Sequence, residues 1–83
     1  MSMKIKLKFF AQLRDLTGVD ETEMEVAENT TVAELAHLVS ERFPEVREHL
    51  KVVSFAVDNE YASRKTLLNA SCEVGLLPPI SGG

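Results

Sequence analysis

Thr31-Val32-Ala33-Glu34-Leu35-Ala36-His37-Leu38-Val39-Ser40-Glu41-Arg42-Phe43-Pro44 decides the fold. Thr31 and Glu34 stand at the spacing of a capping box, in which each side chain satisfies a backbone N–H at the helix start. Val32, Leu35, Ala36, Val39 and Phe43 then recur at i, i+3, i+4, i+7 and i+11, the apolar stripe of an α-helix. Pro44 disfavours helical backbone in the residue before it, so the helix ends near Phe43. A stripe of this kind must cover one face of a sheet.

Upstream, Lys4-Ile5-Lys6-Leu7-Lys8-Phe9 alternates with period two. Met3, Ile5, Leu7 and Phe9 share the core face of a strand; Lys4, Lys6, Lys8 and Phe10 share the other. Phe10 is an aromatic on the lysine side. Ala11 to Gly18 changes period and predicts a short helix, with Leu13, Leu16 and Thr17 on one side and Gly18 as the left-handed residue at its end. Thr22, Met24 and Val26 alternate with Glu21, Glu23 and Glu25, a second strand with an acidic outer face. The compact connection favours an antiparallel hairpin, with lysines opposite glutamates worth only tenths of a kcal/mol each.

Downstream, Glu45 to Leu50 is expected to form one more helical turn. Val52 to Val57 reads as a strand of central character, apolar on both faces. Asp58-Asn59-Glu60 is a turn, Tyr61-Ala62 a short extended piece, Asn69-Ala70-Ser71 another turn, and Cys72 to Leu77 the last strand. The order is strand, short helix, strand, long helix, strand, short strand, strand. It predicts an α+β domain of the ubiquitin-like β-grasp type. Its mixed sheet carries one long helix on one face, and the first and last strands are parallel neighbours. The domain is expected over 1–77, with an extended tail over 78–83.

Eighty-three residues make one small domain with a thin core, in which a large internal active-site cavity is not expected. The net charge of −4 argues against nucleic acid as the main partner, and suits solubility or a basic partner surface equally. Cys72, the single cysteine, cannot form an internal disulfide, and no metal-ligand spacing occurs. Met1-Ser2-Met3-Lys4 opens no long apolar run, so neither a secretory signal nor a membrane span is expected, and the cytoplasm is the default compartment.

The ending Leu76-Leu77-Pro78-Pro79-Ile80-Ser81-Gly82-Gly83 carries the functional signal. Gly-Gly can enter a slot too narrow for any residue with a Cβ. The two prolines keep the approach extended. The expected result is a thin, flexible arm with a free α-carboxylate at its tip, the candidate reactive group.

Three segments resemble the MoaD family, the small sulfur-carrier subunit of molybdopterin synthase. Leu7-Lys8-Phe9-Phe10-Ala11-Gln12-Leu13-Arg14-Asp15-Leu16-Thr17-Gly18 is similar to its strand followed by F-A-x-L-R-x-x-x-G. Phe55-Ala56-Val57-Asp58-Asn59-Glu60-Tyr61 resembles its A-V-N-x-E-Y. Glu73-Val74 through Gly83 matches its E-V-x-x-x-P-P-[VI]-[ST]-G-G. Departures exist. Ala70-Ser71-Cys72 stand where the family usually has Asp-Gly-Asp, leaving the turn type open, with Asn69 as an alternative turn residue. Asp58 stands where Asn is common, and Gly75 where Ala is common.

The resemblance implies a chemistry. A carboxylate is a poor acyl donor until it is joined to AMP. ATP held by a separate ubiquitin-activating-like, MoeB-type enzyme would adenylate Gly83. Sulfur from a persulfide would then replace AMP and leave a thiocarboxylate. Pro78, Pro79, Ile80, Ser81 and Gly82 would thread the tail into a channel of a MoaE-type large subunit, in a heterotetramer. There the sulfur would pass to cyclic pyranopterin monophosphate. No cofactor and no metal would be bound by the chain itself, and no nucleic acid or membrane partner is implied. Phe10, Tyr61 and Leu77 fall where the family presents an apolar patch to partners. Phe10 and Leu77 also break the polar side of their strands.

Other residues have plainer readings. Cys72 reads as a packed thiol, not the sulfur carrier. His37 and His49 are expected to face solvent. Glu21, Glu23 and Glu25 read as a solvated strand face. A carrier for another thiolation pathway, a protein modifier joined through Gly83 to lysines, and a plain binding module remain alternatives.

Overall fold

A computed structural model of the chain describes residues 2–78. Five strands and two α-helices follow one another: β1 Ser2–Phe9, α1 Gln12–Thr17, β2 Glu21–Ala27, α2 Val32–Arg42, β3 Ser54–Val57, β4 Glu60–Ala62 and β5 Glu73–Leu77. The sheet order is β2-β1-β5-β3-β4. β1 and β5 are parallel, with Leu7 opposite Val74 and Phe9 opposite Leu76; the other pairings are antiparallel. This is the β-grasp arrangement expected from the element order. β5 ends at Leu77, so the expected tail beyond Pro78 lies outside the described residues.

Alternation along β1 is carried into burial. Ile5, Leu7 and Phe9 are buried, while Phe10 stays exposed. α2 begins with the reciprocal cap: the Thr31 hydroxyl accepts from the Glu34 N–H at 3.2 Å, and the Glu34 carboxylate accepts from the Thr31 N–H at 2.9 Å. Val32, Leu35, Ala36 and Val39 are buried against the sheet. Each fully buried aliphatic side chain there contributes roughly 1.5–3 kcal/mol. Phe43 caps the helix and meets Phe9 edge to face, with ring centroids 5.3 Å apart.

Several elements differ from expectation. Leu16 is 38% exposed, because a six-residue helix at the rim of the core brings only Leu13 fully inside. The turn expected over Glu45 to Leu50 is two 3-10 turns, Pro44–Val46 and His49–Lys51. Val52 closes the second with ψ near 0 and is 59% exposed, so β3 starts only at Ser54. β3 lies inside the sheet, yet Ser54 is exposed and Ala56 half-buried on its outer face. The strand apolar on both faces is instead β5, where Val74, Gly75 and Leu76 are all buried.

His49 also departs from expectation. Its turn seats Leu50 in the core and draws the imidazole inward, leaving Nδ1 buried without a hydrogen-bond partner among the described residues. His37 is exposed, as expected. Lys4, Lys6 and Lys8 do stand opposite Glu25, Glu23 and Glu21. The ion pairs seen are different: Lys6 reaches diagonally to Glu21 at 3.6 Å, and Lys8 reaches Glu73 on the neighbouring β5 at 3.1 Å.

Two tight turns set the sheet register at the β5 end. Asp58 and Asn59 both have positive φ, 50° and 70°, between the paired Val57 and Glu60; this is a two-residue hairpin of the primed type. Asp58 also holds β5, donating its N–H to the Glu73 carbonyl and accepting the Glu73 N–H on Oδ1 at 3.0 Å. In the second turn the Cys72 N–H donates to the Asn69 carbonyl, and Ser71 is left-handed with φ 62°. A serine therefore holds the left-handed position that favours glycine, and Asn69 supplies the turn's carbonyl. A left-handed serine costs about 1 kcal/mol. Ser71→Gly should raise stability by about 1 kcal/mol, read as a higher urea midpoint with an unchanged slope.

Candidate functional site

Parallel pairing of β1 with β5 places the ends of both strands at the same edge of the sheet. Phe9 is opposite Leu76, so Phe10 and Leu77 follow side by side. On the face away from α2, one row crosses all five strands: Glu21, Lys8, Gly75, Ala56 and Tyr61 are successive register partners. The two residues at the middle of the row are small. The result is a shallow hollow of about 240 Å³, walled by Phe10, Tyr61 and Leu77 over a floor of Gly75 and Ala56. A Cβ built on Gly75 would lie 3.1 Å from Cε2 of Phe10, so the ring rests directly on the glycine backbone. The Lys8–Glu73 ion pair and Asn59 complete the rim.

Backbone strain helps aim Phe10 outward. Ala11 has φ 52° and ψ −128°, a conformation natural to glycine, while the Phe10 carbonyl accepts the Leu13 N–H at 3.1 Å. Such a residue costs roughly 1–3 kcal/mol and is held by its surroundings. Tyr61 is 73% exposed and Phe10 42%. Aromatic rings left in water beside an aliphatic side chain form a surface that desolvation by a partner would stabilise.

The structure thus brings Phe10, Tyr61 and Leu77 together. Leu77 and Tyr61 also line a second hollow with Ser54 and Pro78, which continues the surface past the end of β5. Pro79, Ile80, Ser81, Gly82 and Gly83 lie outside the described residues. Sequence reading missed Ala56 and the role of Gly75 as the floor. Their signal was the outward phase of their strands, legible once the registers are known. Among the described residues, no group of three His, Cys, Asp or Glu side chains is placed to hold a metal ion. No described helix is long and apolar enough to cross a membrane.

Cys72 is buried beneath the turn that precedes β5. Burial pushes its thiol above the ordinary value, with the nearby Asp58 carboxylate adding to the rise and backbone hydrogen bonding opposing it. A buried thiol held protonated is a poor nucleophile.

Fold and site together define a ubiquitin-like β-grasp protein with an apolar hollow beside the end of its last strand. Comparison narrows this. Residues 7–83 match the ThiS family. The molybdopterin synthase sulfur carrier subunit of Escherichia coli is 36% identical over 81 residues, covering 95% of this chain and 99% of that protein. A putative molybdopterin converting factor, subunit 1, from Pyrococcus furiosus superposes with a TM-score of 0.86 at 33% identity, over 94% of this chain and 99% of that one. A subunit from the complex of subunits 1 and 2 of Helicobacter pylori molybdopterin-converting factor shares the fold, with a TM-score of 0.68 at 21% identity over 98% and 100% of the two chains. The chain belongs to the ThiS family, and within it to the molybdopterin synthase sulfur carrier (MoaD) subunits.

The Cys72 thiol yields a pH prediction. Its native value lies above the unfolded value of 9.0, so its contribution to stability is complete below that pH and is lost as pH rises through the native value. Urea unfolding across the alkaline range should show this loss, and the Cys72→Ala difference curve should isolate it.

Proposed function

We propose that this chain carries sulfur on its C-terminal glycine for the assembly of molybdopterin. Attack of the Gly83 carboxylate on ATP, held by a MoeB-type adenylating enzyme, forms an acyl-adenylate and releases pyrophosphate. The terminal sulfur of a persulfide displaces AMP, and a second thiol then cleaves the S–S bond to leave a thiocarboxylate. Inserted into a MoaE-type large subunit, the tail donates that sulfur to cyclic pyranopterin monophosphate. The large subunit supplies the acid–base and cationic groups, and two copies of each chain form the working heterotetramer. Gly83 is a cosubstrate, and no cofactor is held by the chain itself.

One observation carries this reading: the hollow of Phe10, Tyr61 and Leu77 sits where β5 hands over to Pro78. A partner docked there is positioned to receive whatever follows Pro78. The sulfur-carrier relatives and the neighbouring two-subunit complex support the choice of partner and pathway. Phe10, Tyr61 and Leu77 would be the anchors, and Pro78, Pro79, Ile80, Ser81 and Gly82 the residues that pass the channel.

Intact mass after incubation with the adenylating enzyme, ATP and a persulfide donor tests the proposal. A gain equal to replacing one oxygen by sulfur, mapped to Gly83, is the expected result. An unchanged mass with an enzyme proven active on another carrier would reject it. Gly82→Ala should lower adenylation or sulfur transfer while unfolding is unaltered, because a Cβ obstructs the narrow channel. Leu77→Glu should weaken binding to both partners by roughly tenfold or more, the size of effect typical of a buried anchor. Cys72→Ser should retain sulfur transfer.

A further inference from the structure

The far edge of the sheet carries a second surface, separate from the hollow and from the tail. Hydrogen-bond phase defines it. The Phe9 N–H donates to the Asp20 carbonyl, and pairing repeats every second residue, so Thr22, Met24 and Val26 bond inward to β1. The backbone groups of Glu21, Glu23, Glu25 and Ala27 therefore point outward along an edge with no neighbouring strand. Two of those groups are satisfied internally. Arg42 of α2 donates to the Glu23 carbonyl at 3.0 Å, and the Thr30 hydroxyl donates to the Ala27 carbonyl at 2.6 Å. What stays open is both groups of Glu21, the N–H of Glu23, both groups of Glu25 and the N–H of Ala27. The four from Glu23 to Ala27 are enough for four hydrogen bonds to an antiparallel strand alongside the end of β2.

Beside this edge runs a groove of about 610 Å³ between β2 and α2, with Val26, Ala27, Ala33 and Leu38 as its apolar lining and Glu25, Thr30, Glu34 and His37 as its polar lining. A strand added about 4.8 Å beyond β2 would overlie it. Its alternate side chains would point into the groove, onto Val26, Ala33 and Leu38. The intervening ones would emerge on the opposite face, beside Glu23 and Glu25. The Glu25 carboxylate accepts the Ser2 hydroxyl, and neither Glu23 nor Glu25 has an ionic partner among the described residues. A second copy of this chain is a poor occupant, since pairing two β2 edges sets glutamate against glutamate.

We propose that this edge and groove bind an extended protein segment in which apolar and basic residues alternate, added as a sixth strand beside β2. Backbone pairing supplies affinity, the groove selects the apolar positions, and the glutamates select the basic ones. The site is independent of Gly83 and of sulfur transfer.

The test is titration of the isotope-labelled full chain with a synthetic peptide of alternating lysine and valine, followed by amide shifts and hydrogen exchange. Shifts should concentrate at Glu23, Glu25, Ala27, Ala33 and Leu38. Exchange at the Glu25 and Ala27 N–H groups should slow by roughly tenfold or more at saturation. A peptide of alternating glutamate and valine should not bind, and the Glu23→Lys, Glu25→Lys double variant should reverse the preference. Absence of binding would overturn the proposal. So would shifts centred on Phe10 and Tyr61, or binding that leaves exchange at Glu25 and Ala27 unchanged, which would mean attraction between charges without strand addition.

Discussion

Parallel pairing of the first strand with the last is the constraint on which this structure depends. Parallel strands cannot be joined by a tight turn, so everything between β1 and β5 must serve as a crossover or as a cover. α2 is that cover. Its stripe of Val32, Leu35, Ala36 and Val39 closes one face of the sheet over Leu7, Val74 and Leu76, among the most deeply buried side chains in the molecule. The same pairing sends β1 and β5 out at one end. Phe10 and Leu77, far apart in sequence, therefore flank one surface.

That surface is made by what is missing as much as by what is present. Gly75 and Ala56 sit in the row across the sheet between Lys8 on one side and Tyr61 on the other. A larger residue at Gly75 would lift the Phe10 ring and begin to fill the hollow. Ala11 bears a strained backbone next to Phe10, and Ser71 bears one at the turn before β5. Both strains lie where chain direction must reverse sharply to deliver β1 and β5 to the sheet centre. The cost is local, and the parallel pair it permits is shared by the whole core.

The two faces of the sheet have different roles because their chemistry differs. One is sealed by α2. The other keeps its lysines and glutamates in water around a small apolar hollow, an arrangement suited to a partner that docks and leaves. Few titratable groups in such a domain are shielded from water. Cys72 is one that is, and its thiol rests under the turn with no neighbour to activate it.

The sequence by itself determined the element order, the capping box at Thr31 and Glu34, the alternation of β1 and β2, and the outward placement of Phe10, Tyr61 and Leu77. These follow from period, capping and turn chemistry, which act over a few residues. The family signature at the Gly82-Gly83 end was equally plain, because it is a string of residue types. Tertiary structure decided the rest. Leu16 and Val52 are apolar yet exposed, since a six-residue helix and a 3-10 turn carry them past the rim of the core. His49 turned inward because its neighbour Leu50 had to be buried. Gly75 and Ala56 became the floor of the hollow, and the edge of β2 came to lie beside a groove, only when register and strand order were set. Those choices come from long-range pairing, in which one residue's environment is supplied by another dozens of positions away.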